Sequence, residues 1–157
     1  MNRRRRAFAD PTLRAGRLAL LTTSAVHLGF QSVVTSVMYP ELFDGPTHGI
    51  GERQADHARR IAPIALTLYA AGLGATAWTA YGSIRSRERA GLTATLVACA
   101  AGVAAPAITA GVVPLHVGIA REQVNRPRIA ALLASDRIRT GLAALGVVAA
   151  AQALSRG

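Results

Sequence analysis

Four histidines, His27, His48, His57 and His116, and two arginines, Arg60 and Arg139, are the side chains of this chain whose types best suit chemistry. Imidazole moves protons near neutral pH and ligates copper, iron or zinc, while guanidinium stabilises a developing oxyanion or holds a phenolate or carboxylate. Two or three histidines with a carboxylate would make a copper or iron centre. The spacing alone does not make one: the chain has no HxxxH, HExxH or ExxH pair, so a metal site depends on the fold bringing distant histidines together. Nucleophilic catalysis is poorly supported, because GxSxG is absent and Ser24, Ser32 and Ser36 have no acid nearby in sequence. The single cysteine, Cys99, gives no intrachain disulfide and no CxxC motif, and it reads as a small buried hydrophobe.

The elements that must position these groups are apolar. Half of the 157 residues are hydrophobic and mean hydropathy is +0.29. The charges cluster, leaving four blocks of roughly the 20 residues that cross a bilayer core, at about 18–38, 61–81, 92–113 and 138–154. The last is short and is expected to borrow length from Ala130 to Asp136. These blocks predict one all-α domain over 1–157, an integral membrane four-helix antiparallel bundle with short connections. Arg3 to Arg6 precede the first block as in a signal peptide, but the apolar core is too long and Tyr39-Pro-Glu is not a small-residue cleavage site, so the segment is expected to remain as a helix.

All eighteen basic residues are arginine and the net charge is +10. Nucleic-acid binding needs one contiguous basic face with stacking aromatics; here the arginines are divided among short segments between apolar spans, so no nucleic-acid partner is expected. Six arginines within residues 1–17, with Arg85, Arg87, Arg89 and Arg156, favour both termini on the cytoplasmic side of an inner (plasma) membrane. Trp78 and Tyr81 fall where an aromatic belt on that side belongs.

In the first block Ser24, His27, Gln31 and Thr35 follow helical spacing and form one polar stripe, which in lipid must face other helices or a cavity. The stretch from Tyr39 to His57 is rich in Gly and Pro and reads as an outer loop, with Asp56 capping the second helix. Gly72, Gly74 and Ala75 permit close helix packing, and Pro106 predicts a kink. The third span ends at Pro114-Leu-His116. Ile129 to Leu133 read as a short helix on the membrane surface, and Ser135 or Asp136 as the cap of the fourth helix. No acid then falls within a span, which speaks against ion-coupled transport. In such a bundle His48, His57 and His116 lie at the outer end, and His27 looks up from below.

Three stretches, Phe30-Gln-Ser-Val-Val-Thr-Ser-Val-Met-Tyr-Pro40, Val112-Val-Pro-Leu-His116 and Asp136-Arg-Ile-Arg-Thr140, resemble in order and spacing the anthrone-oxygenase-like family of small four-helix membrane proteins. Members show a Met-Pro near the end of the first helix, an Asn-Val-Pro-Leu-Asn stretch and a Trp-Asn-x-x-Arg-Thr entry to the last helix. The resemblance points to Pro40, Pro114, Leu115, His116, Arg139 and Thr140. The chain departs from the pattern at Val112, His116 and Ser135-Asp136. The few characterised members oxidise polyketide anthrones to anthraquinones with dioxygen.

The expectation is therefore a membrane-embedded oxygenase or oxidase acting with dioxygen on a lipophilic, aromatic or polyketide-type metabolite that enters from the bilayer. His116, His57, Arg60 and Arg139 are the expected catalytic groups. His27, His48, His57 and His116 are the candidate ligands of copper or iron, and Gln31, Thr35, Tyr39 and Pro114 the candidate pocket lining. The alternative is a non-enzymatic membrane protein, a transporter subunit or assembly partner, and packing into a homo-oligomer is compatible with both.

Overall fold

The computed structural model describes residues 11–44, 48–86, 89–121 and 125–156, and no strand occurs among them. Helix α1 (Pro11–Val33) passes through a π-helical turn (Val34–Met38) into the short α2 (Tyr39–Phe43); α3 (Ile50–Ser86), α4 (Leu92–Ala120) and α5 (Arg126–Ser155) follow. The π turn sits where a proline would otherwise interrupt the ladder. Pro40 has no N–H to give, and Tyr39 N–H bonds back to Val34 O, five residues earlier. Four helices, Pro11–Phe43, Ile50–Ser86, Leu92–Ala120 and Arg126–Ser155, are each long and apolar enough to cross a membrane.

These helices are longer than the apolar blocks, and the excess lies largely toward one end. At a rise of about 1.5 Å per residue, the 37-residue α3 is roughly 55 Å long, against about 30 Å of bilayer hydrocarbon. Several expectations change as a result. The outer loop from Tyr39 to His57 is mostly helix, as α2 and the first two turns of α3 occupy it; Gly45 to Thr47 lie outside the described residues. Asp56 is inside α3, where it pairs with Arg59 and Arg60, and does not cap it. Pro114 is within α4, whose described course continues to Ala120. Ile129 to Leu133 are not a separate surface helix: they are the first turns of α5, with Leu132 fully buried. The cap of that helix is Asn125, whose side-chain oxygen accepts from Arg128 N–H at 2.9 Å. Of the arginines used to orient the chain, Arg3 to Arg6 and Arg87 lie outside the described residues.

Around the bundle the order of contact is α1, α3, α4, α5 and back to α1, with α1 and α4 touching only marginally. One end is closed by small residues. A Cβ on Gly16 would stand 3.0 Å from Thr79 Cα, and one on Gly82 would stand 3.0 Å from Leu13 Cα, so helix backbones meet where only glycine fits. Gly91, at φ +70°, turns the chain into α4 against Ala153. Arg17 is buried there, donating to Ala90 O at 2.7 Å and to Thr95 Oγ1 at 3.3 Å. Above this end an apolar cluster of Leu20, Ala75, Ala98, Ala149 and Ala150 fills the bundle, and a second cluster around Val34, Leu42, Ile119 and Leu132 forms the far end.

Candidate functional site

Above the first cluster and alongside the second, the bundle holds a cavity of about 710 Å³. α3 and α4 are in contact below it, where a Cβ on Gly102 would meet Thr76 Oγ1 at 3.0 Å, and they part above. The exposed lining residues Leu66, Leu73, Val113 and Val117 all belong to these two helices. The cavity therefore opens sideways between α3 and α4, on an apolar face that meets lipid if the helices span a membrane.

The wall behind this opening is polar, and its centre is an ion pair one turn apart on α5. Arg139 donates from Nη2 to Asp136 Oδ1 at 2.9 Å, and both side chains are almost completely buried, at 7% and 1% exposure. Two buried charges persist only if paired and if their remaining hydrogen bonds are made. The stripe predicted on the first helix makes them. Gln31 Nε2 donates to Asp136 Oδ1, and Thr35 Oγ1 lies 2.5 Å from Asp136 Oδ2 and 3.0 Å from Thr140 Oγ1. Arg139 reaches onward to Thr109 Oγ1 at 3.1 Å and to the Tyr39 hydroxyl at 3.4 Å. Thr109 Oγ1 also lies 3.1 Å from Ala105 O and shares a hydrogen bond of 2.7 Å with the Tyr69 hydroxyl. Arg139 Nε is buried with no partner among the described residues, and Arg139 lines the cavity.

The expected site residues separate cleanly in space. His57, His116, Arg139, Gln31 and Tyr39 all line the cavity. His57 packs against Tyr39 with ring centroids 6.0 Å apart, and His116 Nδ1 lies 2.7 Å from the side-chain amide nitrogen of the fully buried Gln54. Thr35 stands behind the lining as a partner of Asp136. His27 faces the interior edge-on to Tyr69 at 5.3 Å, beside a pocket of about 20 Å³, with its Nε2 buried and unpartnered among the described residues. The other expected residues stand apart. Arg60 is exposed and tied to Asp56 at 2.7 Å, His48 is exposed at the turn before α3, and Pro114 is exposed on α4.

Among the described residues no group of three or more His, Cys, Asp or Glu side chains could hold a metal ion. Only His57 and His116 share the cavity, His48 being at a turn and His27 beside the smaller pocket, and His116 already spends one ring nitrogen on Gln54. Among the described residues these donors thus do not assemble the copper or iron centre that their number suggested. No protein-family model, no curated protein and no solved structure matches this chain.

Four contributors were missed by sequence reasoning: Asp136, Gln54, Tyr69 and Thr109. Asp136 was read as a helix cap outside the fourth span, yet it is a buried acid eleven residues into α5. The signal was present, since Asp136, Arg139 and Thr140 repeat at i, i+3, i+4 and match the Gln31 and Thr35 pair on the first helix. Gln54 fell in a stretch taken for loop, where no face could be assigned.

Proposed function

We propose that this protein is a multi-pass membrane oxygenase in which a lipophilic, aromatic or polyketide-type molecule enters the α3–α4 opening from the bilayer and is oxidised by dioxygen against the Arg139 wall. The observation that carries this reading is the cavity itself: a large apolar space, open between α3 and α4, with an ion-paired arginine and a tyrosine behind it and a histidine on each flanking helix. The helices run alternately up and down, with both termini on the cytoplasmic side of the plasma membrane. Leu13 beside Gly82 and Gly91 beside Ala153 support the alternation, and the exposed Arg85, Arg89 and Arg156 near that end support the side.

The chemistry needs no external reductant. A histidine removes a proton from a methylene held between two aryl rings and conjugated through them to a ketone, and the negative charge moves onto the ketone oxygen, where Arg139 stabilises it. The carbanion carbon then bonds to dioxygen, and the returning proton makes a hydroperoxide. Loss of the remaining C–H proton with cleavage of the O–O bond yields a second ketone and water. One methylene and one dioxygen thus become one carbonyl and one water.

The test is oxygen uptake by protein in liposomes supplied with anthrone. The expected result is protein-dependent consumption of one dioxygen per anthraquinone formed, lost in Arg139→Gln. Uptake no faster than in empty liposomes, with anthrone nevertheless bound, would end the oxygenase reading and leave a non-enzymatic membrane protein that holds a lipophile.

A further inference from the structure

The two histidines lining the cavity are not equivalent, and the difference lies in what stands behind each. His116 is held from behind by Gln54, a side chain with no solvent exposure, whose amide nitrogen is 2.7 Å from His116 Nδ1. With its amide nitrogen toward the ring and its Oε1 buried without a partner among the described residues, Gln54 donates, so Nδ1 accepts and in a neutral ring the hydrogen sits on Nε2. His57 has a ring neighbour in Tyr39 but no hydrogen-bond partner among the described residues, so its nitrogens are uncommitted. We propose that Gln54 is a positioning residue that fixes His116 as an Nε2–H donor into the cavity, leaving His57 as the proton acceptor of the pair.

This has a structural logic. A base must carry a lone pair toward the substrate, and a group that stabilises an oxyanion must carry a hydrogen. Two histidines on one cavity supply both roles only if something fixes at least one tautomer, because a free imidazole exchanges between them. The outer-end charges do not compete for His116: Asp56 is bound to Arg59 and Arg60, and Asp136 is bound to Arg139, Gln31 and Thr35. The tautomer assignment stands on geometry alone, whereas the division of labour rests on the oxidation proposed above.

Two measurements keep these apart. The first is solid-state NMR of ¹⁵N-histidine-labelled protein in liposomes, with the His116 signals assigned by their loss in His116→Gln. At neutral pH the expected spectrum has a protonated Nε2 and an unprotonated Nδ1, and Gln54→Glu, whose carboxylate accepts, moves the hydrogen to Nδ1. A protonated Nδ1 in the wild type overturns the proposal. So does an unchanged tautomer in both Gln54→Glu and Gln54→Met, two variants of similar size that guard against loss of folding in either. The second is anthrone-dependent oxygen uptake. His116→Gln keeps an N–H donor and is expected to retain activity within about tenfold, while His57→Gln falls by about 10²–10⁴-fold, the range of a lost general base. The reverse order overturns the division of labour, and absence of uptake in the wild type overturns only the oxygenase reading, since the tautomer is read without turnover.

Discussion

At the Arg17 end of the bundle, helices approach until a glycine Cα is the largest group that fits; at the Arg139 end, α3 and α4 part around a cavity of about 710 Å³. Each end buries an arginine, but in different company. Arg17 is hydrogen-bonded to a threonine and to a carbonyl that ends a helix connection, and so it ties neighbouring segments together. Arg139 is paired with a carboxylate and lines open space. The contrast teaches that a buried charge in such a bundle can serve as a clasp or as a binding wall, and that the space next to it tells which.

Breaking the pair at the open end is the largest effect expected. Asp136→Ala leaves Arg139 buried and uncompensated and should destabilise the protein by about 3–5 kcal/mol, whereas the double change Asp136→Leu with Arg139→Met should recover most of that loss. Thermal unfolding in detergent measures both, and a double variant no better than the single would show that the surrounding hydrogen bonds matter more than the unpaired charge.

At the closed end, Gly16→Val and Gly82→Val force a branched side chain against a backbone 3.0 Å from the new Cβ, with an expected cost of about 1–3 kcal/mol in the same assay. Adding bulk at the open end should behave differently. Ala110→Leu, on the exposed cavity lining, is expected to stay within about 0.5 kcal/mol of wild type while raising the KM for anthrone. Equal destabilisation at both ends would mean that the α3–α4 opening closes in the membrane. The smallest effect is expected for Arg60→Gln, which removes an exposed ion pair worth about 0–1 kcal/mol and nothing from the cavity, so oxygen uptake should be unchanged.

The apolar blocks were legible because hydrocarbon thickness imposes a length and a composition that no other constraint imitates. Ser24, His27, Gln31 and Thr35 were legible as an inward stripe for the same reason, and Gln31 and Thr35 meet Asp136 as that stripe required. Helix ends were not, because beyond the hydrocarbon a helix needs no apolar signal: the first turns of α3 carry Glu52, Arg53, Asp56, Arg59 and Arg60, and a charged stretch with glycine and proline before it looks like loop. Misplacing those turns hid Gln54, and Arg60, expected to be catalytic, is exposed and outside the cavity lining. The histidines were counted correctly as chemistry-bearing groups, but which of them share a wall is set by helix packing, which a single sequence does not specify.

The π turn at Val34–Met38 makes the first crossing helix a two-phase object. A π turn adds one residue to an α-helical turn, so everything after it is rotated by about 100° relative to an uninterrupted helix. Gln31 answers to the phase before the turn and bonds Asp136, Tyr39 answers to the phase after it and accepts from Arg139, and that offset lets both meet the same ion pair. The segment is thus under a constraint of count as well as identity: loss of a single residue between Val33 and Val37 would leave its composition almost unchanged, restore one continuous phase and swing Tyr39 out of register with Arg139.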